Sequence, residues 1–323
     1  MFASLPLSPQ PMHIPDGFLS TIVSVAFWVV AVGFIIAALR NVRNELGDRQ
    51  IPLMGVLAAA IFAGQMLNFS ISGGTSGHLL GAALATILVG PWQAMIILTA
   101  VVSVQALIFQ DGGILALGAN IFNMAVVGVF VANGVYYAIQ RLLSGNQRAF
   151  WLSGFIAAWA SIVVASFSCA LQLALSGTSP AAIAVPAMVG VHALIGIGEG
   201  LITVAALAFL YATRRDLVSG GASSSQSARS LWIGGIIIAA ILAILSPLAS
   251  THPDGLEWVA EQHGFIERAQ EALYSIIPDY VMPGVPDEAL ATILAGLVGV
   301  MIVLIVVVGI AFLEKRGART EKV

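Results

Sequence analysis

Met12-His13-Ile14-Pro15-Asp16-Gly17-Phe18-Leu19 runs directly into a stretch from Leu19 to Leu39 that carries no charged residue, and this junction decides the fold. At a rise of about 1.5 Å per residue, such a run is long enough to span a hydrocarbon core about 30 Å thick. Residues 1 to 11 lack a basic n-region, so the run reads as a retained helix and not a cleaved signal. A histidine therefore stands just outside a membrane helix. A second one, His78, closes Gly73-Gly74-Thr75-Ser76-Gly77-His78 at the mouth of another apolar segment.

The whole chain agrees with that reading. Of 323 residues, 59% are hydrophobic and 9% charged, and the mean hydropathy is +0.98. A soluble domain cannot hide that much apolar surface, so the expectation is an all-α integral membrane protein. The single cysteine, Cys169, excludes a disulfide framework, a thiolate metal site or a CxxC redox pair, and reads as a small packing residue. A net charge of −3 with scattered basic residues excludes nucleic acid as a partner.

Apolar runs bounded by charged or Gly/Pro-rich breaks predict helices over 19–39, 52–69, 78–89, 91–109, 115–139, 150–175, 184–211, 231–248 and 289–313, about nine spans. The stretch 78–109 admits two readings, one helix kinked at Gly90-Pro91 or two short ones joined there. Charge bias chooses the second. With the N-terminus outside, nine spans put 40–50, 141–148, 212–230 and 314–323 in the cytoplasm, and these hold all Lys and Arg residues except Arg268. The chain is thus expected in the cell (inner) membrane with its C-terminus cytoplasmic. The short 78–89 piece is the kind of broken helix on which transporters build sites.

Ser219 to Ser227, rich in Gly and Ser, reads as a flexible linker within 216–230. It separates a seven-span module, 12–215, from a two-helix module, 231–315, whose outer loop is acidic; 316–323 is a cytoplasmic tail. No internal repeat is visible.

Two imidazoles at one membrane surface suggest a transition-metal site. If the chain began at Met12, its amine, the amide nitrogen of His13 and the His13 Nδ1 would close two chelate rings, and His78 would add a fourth nitrogen. That donor set suits Ni(II) or Cu(II) and accommodates Co(II). Alternatively, His13 belongs to a helix start and His78 to an interfacial turn. Asn68, Thr75 and Ser76 are placed to orient the other ring nitrogen of His78, or to serve as loop caps. Asp111, in Gln110-Asp111-Gly112-Gly113, is a metal-path residue or a turn former. His192 and Glu199 share one helix face, as a path or as a pair buried for packing among Gly196, Gly198 and Gly200. Asn120 and Asn123 read as interhelical hydrogen-bonding residues, and Ala157-Ser161-Ala165 as a small-residue face for a partner.

Four ordered motifs carry a resemblance: Met12 to Leu19, Gly73-Gly74-Thr75-Ser76-Gly77-His78-Leu79-Leu80-Gly81-Ala82, Phe109 to Gly113, and Gly118-Ala119-Asn120-Ile121-Phe122-Asn123-Met124-Ala125. Over about 12–215 the chain resembles the substrate-specific membrane subunit of cobalt and nickel energy-coupling factor transporters. Pro253-Asp254-Gly255-Leu256-Glu257 resembles the motif of the small two-helix auxiliary subunits of these systems, here fused. The resemblance implies Met12, His13 and His78 as metal donors, Co(2+) or Ni(2+) as transported substrate with no permanent cofactor, and as partners a transmembrane coupling subunit and cytoplasmic ATPase subunits. Membrane lipid surrounds the chain. The family's methionine is N-terminal, whereas eleven residues precede Met12. The start is misassigned, or the prefix is trimmed, or the coordination differs; the first is favoured, and a true Met-His start should keep its methionine and with it the chelating amine.

The sequence contains no GxxxxGK[ST] and only two lysines, Lys315 and Lys322, so nucleotide hydrolysis is expected elsewhere. HExxH and GxSxG are absent too, which weighs against an enzyme. Two rivals remain: a proton-coupled carrier using His192 and Glu199, and a membrane-embedded metal-dependent enzyme built from His13, His78, His192 and Glu199. His252 and His263 are candidates for transient ligation in the acidic loop.

Overall fold

The computed structural model describes residues 12–43, 46–47, 49–218 and 228–320. Residues 1–11 and the Gly/Ser-rich 219–227 lie outside them. In chain order the elements are α1 (Thr21–Val42), α2 (Gln50–Gln65), β1 (Phe69–Ile71), β2 (Thr75–Gly77), α3 (Ala82–Val89), α4 (Pro91–Ile108), α5 (Leu117–Ile121), a π-helical segment Phe122–Val127, α6 (Gly128–Leu142), α7 (Gln147–Leu175), α8 (Ala181–Thr213), α9 (Arg215–Val218), α10 (Ala228–Leu245), α11 (Gly255–Gln262) and α12 (Glu288–Thr320). Single 3-10 turns fall at Ser246–Leu248, Ile266–Arg268 and Pro278–Tyr280.

Seven of these helices are long and apolar enough to cross a membrane, with α5, the π segment and α6 counted as one run. The shorter α2 and α3 complete the helices expected from the apolar runs. The chain is an all-α multi-pass membrane protein. Large apolar side chains such as Ile22, Val29, Leu201, Ile305 and Leu313 remain exposed on its flanks, where lipid takes the place of a core.

The helix break at Gly90-Pro91 has a local cause. Gly90 sits at φ 87° and ψ 167°, a conformation closed to side-chain-bearing residues, and Pro91 starts α4 at a position that needs no backbone donor. The two pieces pack against each other, which makes this a turn and not a kink in one rod. The shorter piece begins at Ala82, four residues later than its apolar run: 75–77 pair with 69–71 in a hairpin, and Leu80 N and Gly81 N are then held by Glu199 outside the helix.

α2 is buried on nearly all sides, as expected of a helix that is apolar all round. It packs against α4 on one side and against α10 and α12 on the other. A Cβ on Gly235 of α10 would come within 2.3 Å of Val56 Cβ, and one on Gly299 of α12 within 2.1 Å of Phe62. The last two long helices are thus packed into the body of the protein. Ala157, Ser161 and Ala165 are buried within the chain, where α7 meets α6 and α8. That corrects their reading as a face for another protein: close packing is needed here, but the partner is the chain itself.

Candidate metal centre

The chain from Met12 to Leu19 is laid over the loop between α4 and α5. Asn120 accepts from Ile14 N at 3.0 Å and donates to Ile14 O at 3.1 Å, and Gly113 N donates to Ile14 O at 2.9 Å. Asp16 accepts from Ile114 N and Ala116 N, one through each carboxylate oxygen. Pro15, having no N–H, asks for no partner in this stretch. Phe18 is fully buried against Phe265 of the outer loop, with ring centroids 5.2 Å apart.

This clamp brings three nitrogens to one point. Met12 N and His13 N donate to Asp111 Oδ1 at 2.7 and 3.2 Å, and the His13 Nδ1 lies 3.2 Å from the same oxygen. The His13 Nδ1 also lies 3.3 Å from the Asp111 carbonyl. Both neighbours of Nδ1 are acceptors, so Nδ1 bears the proton. The His13 Nε2 is buried with no hydrogen-bond partner among the described residues. The His78 ring meets the His13 ring edge-on, centroids 5.5 Å apart, and its own Nδ1 donates to Leu79 O at 3.1 Å. The tie holds the ring as a carbonyl or carboxylate holds a metal-binding imidazole, leaving Nε2 as the free donor.

Burial lowers the proton affinity of His13, but the charge of Asp111 and its hydrogen bonds outweigh burial and hold His13 above its ordinary value. His78 is pushed down to about 4, by burial first and then by the neighbouring His13. Asp111 stays below the usual carboxylate range; burial opposes this, and His13 and the Tyr280 hydroxyl overcome it. One ring is therefore proton-rich, the other is a neutral donor, and an ionised carboxylate lies under both.

Below them is a cavity of about 80 Å³ lined by His13, His78 and His192, and by Asn123, Met124, Cys169, Met188 and Asp254 among others. His192, on α8, donates from Nδ1 to Met188 O at 2.7 Å. Glu199 does not line it. Its two oxygens accept from Leu80 N and Gly81 N at 2.7 and 3.0 Å, capping the start of α3 and fixing the segment that carries His78. Thr75 and Ser76 bond outward: Ser76 Oγ to His252 O at 2.8 Å, Ser76 N to Pro253 O at 2.8 Å, and Thr75 Oγ1 to Pro253 O at 3.2 Å. Asn68 O accepts from Ser250 N at 2.8 Å. Asn123 pairs with Gln172 at 2.8 and 2.7 Å where the π segment meets α7. His252 and His263 are exposed.

Two residues of the second module reach the site without having been singled out. Asp254 caps α11 through Glu257 N at 2.7 Å, and burial raises it to about 7. The Pro-Asp-Gly-Leu-Glu motif marked this residue, but an N-cap reading already accounts for it. Tyr280 donates to Asp111 Oδ2 at 2.5 Å across 169 positions of sequence, and no local signal announces it.

Residues 13–217 match the family described as the cobalt uptake substrate-specific transmembrane region. The chain belongs to that family. Residues 229–316 match the PDGLE domain. A protein of Archaeoglobus fulgidus, provisionally named a fused nickel transport protein, is 36% identical over 96% of this chain and its own full length. The fused nickel transport protein NikMN of Rhodobacter capsulatus is 30% identical over 90% of this chain and 95% of its own. A crystal structure of a truncated transition metal transporter superposes with a TM-score of 0.57 at 35% identity, covering 62% of this chain and 99% of the other. Relatives named for metal transport make this family one of transporters, not of enzymes, and cobalt and nickel are the metals they are named for.

Proposed function

We propose that this protein captures Co(2+) or Ni(2+) at the outer face of the cell membrane and passes it inward as the substrate-binding component of an energy-coupling factor transporter. Met12 N, His13 and His78 are the donors, His192 faces the path below them, and Asp111 governs the donor set. The observation that carries this reading is the convergence of Met12 N, His13 N and His13 Nδ1 on a single point beside the His78 ring. N–H groups aimed at one point become, once deprotonated, lone pairs aimed at one cation. Among the described residues no three His, Cys, Asp or Glu side chains are grouped to hold an ion, so the main-chain nitrogens are essential to the scheme. Nitrogen donors of this kind suit Ni(II), as they suit Cu(II), and accommodate Co(II).

Energy comes from elsewhere in this reading: a transmembrane coupling subunit and cytoplasmic ATPases supply it. The capping of α3 by Glu199 fits a fixed support better than the proton relay of a gradient-driven carrier. Calorimetry of the purified full chain tests the site. His78→Ala and His13→Ala should each abolish stoichiometric nickel and cobalt binding, and unchanged affinity in either variant would discard the donor assignment.

A further inference from the structure

Asp111 has two oxygens with different owners. Oδ1 receives the three nitrogens of the N-terminal segment, and Oδ2 receives the hydroxyl of Tyr280, from the loop of the PDGLE module, at 2.5 Å. Both residues are buried. A cation held by those nitrogens must stand where they now point, and that place is filled by Oδ1. Each nitrogen has to give up or redirect its N–H, and the carboxylate has to turn away.

Tyr280 is built to resist that turn. Its ring stacks on Phe109, with centroids 4.8 Å apart and planes 15° from parallel. The segment before it is tied to the end of α4, Ile277 N to Ile108 O and Asp279 N to Phe109 O, each at 3.0 Å. Gln110, Asp279 and Tyr280 all take positive φ, near 53 to 58°. Side-chain-bearing residues adopt that conformation at a cost, so surrounding contacts must enforce it, as happens at binding and switching sites.

We propose that Asp111 and Tyr280 form a latch: the carboxylate holds the place of the cation in the metal-free protein, and the second module, through Tyr280, sets how readily it yields. Tyr280 is a positioning residue that never touches the metal. The latch rests on the reading of Met12, His13 and His78 as donors. It makes the fused module part of metal capture, because every ion must outcompete a carboxylate which that module holds in place.

The test is nickel titration of the full-length protein by calorimetry. Tyr280→Phe keeps the ring on Phe109 and removes only the hydroxyl. A hydrogen bond to a charged acceptor that exists only in the metal-free state lowers affinity, so its loss should tighten nickel binding about tenfold. A merely structural role would weaken binding. In an Asp111→Ala background the Tyr280→Phe change should have no further effect, since no side chain is left at position 111 for the hydroxyl to hold. Unchanged or weaker affinity in Tyr280→Phe, or additive effects in the double variant, would overturn the latch. His78→Ala in the same series separates the two ideas. If it binds nickel normally, the donor assignment fails; if it does not bind and Tyr280→Phe shows no gain, only the latch fails.

Discussion

Asp111 stays ionised although buried, because every partner around it is a donor: two main-chain N–H groups, an imidazole and a phenol. The consequence for His13 is a proton held more tightly than in an exposed imidazole, which a chelated metal must displace. The sign follows directly. Above the raised His13 value the ring is neutral and its own proton no longer competes; as pH falls through that value the ring proton competes and nickel affinity declines, starting above the ordinary 6.5. His78, at about 4, remains a free donor throughout that window. In Asp111→Asn the largest support of the proton is gone, and only the residue-111 carbonyl and the weaker charge of Asp254 still oppose burial, so the decline should move to lower pH. Calorimetric nickel titrations from about pH 5 to about pH 8 read this shift. An unmoved midpoint would remove Asp111 as its source. His13 and His78 were legible because the motifs around them resemble a family's; Tyr280 was not, because its contact with Asp111 depends on how two distant loops fold over one another.

At the level of elements, the outer loop of the second module is docked on the first although most of its acidic side chains stay exposed. The hairpin of β1 and β2 holds its start through Ser76 and Thr75, α11 packs on α8, and Gln270 N donates to Asp16 O at 2.8 Å. Gly255, the first residue of α11, allows that contact: a Cβ there would stand 2.7 Å from Ile195 Cδ1 and 2.9 Å from His192 Cε1. A valine must therefore displace the Ile195 and His192 side chains or lift α11 off α8, at a cost of about 1–3 kcal/mol for overpacking. Gly255→Val should raise amide exchange over residues 255–262 while α7 keeps its protection, and unaltered exchange in α11 would show that the contact is dispensable. Helix existence was well read from sequence, since apolar length alone dictates a span. The elements that composition cannot reach are those set by tertiary bonds. The hairpin, the late start of α3 under the Glu199 cap and the π turn at Phe122–Val127 all belong to that class. The turn at Gly90-Pro91 sits between these cases, because two residues and a charge count together decided it before any packing was known.

Across the whole molecule the two ends differ in kind. One carries the N-terminal segment, the hairpin, the loop after α4 and the module loop, joined by the hydrogen bonds around Asp111, Asp16 and Ser76. The other gathers ion pairs: Arg43 with Glu314, Arg49 with Asp216, and Arg214 with Asp216. The resistance of basic residues to translocation is what supports the proposed orientation, in which the end bearing Arg40 to Arg49, Arg141, Arg148, Arg214 and Lys315 faces the cytoplasm and the metal centre faces outward. The native Cys169 is buried in α7, and burial raises a barrier to thiol reagents, so it serves as a silent background. A cysteine at the exposed position of Glu271 should react with a membrane-impermeant maleimide in intact cells, whereas one at the exposed Gln147 should react only after lysis. The opposite pattern would put the histidines on the cytoplasmic side. There they would face metal already imported, and the capture scheme would have to run in reverse.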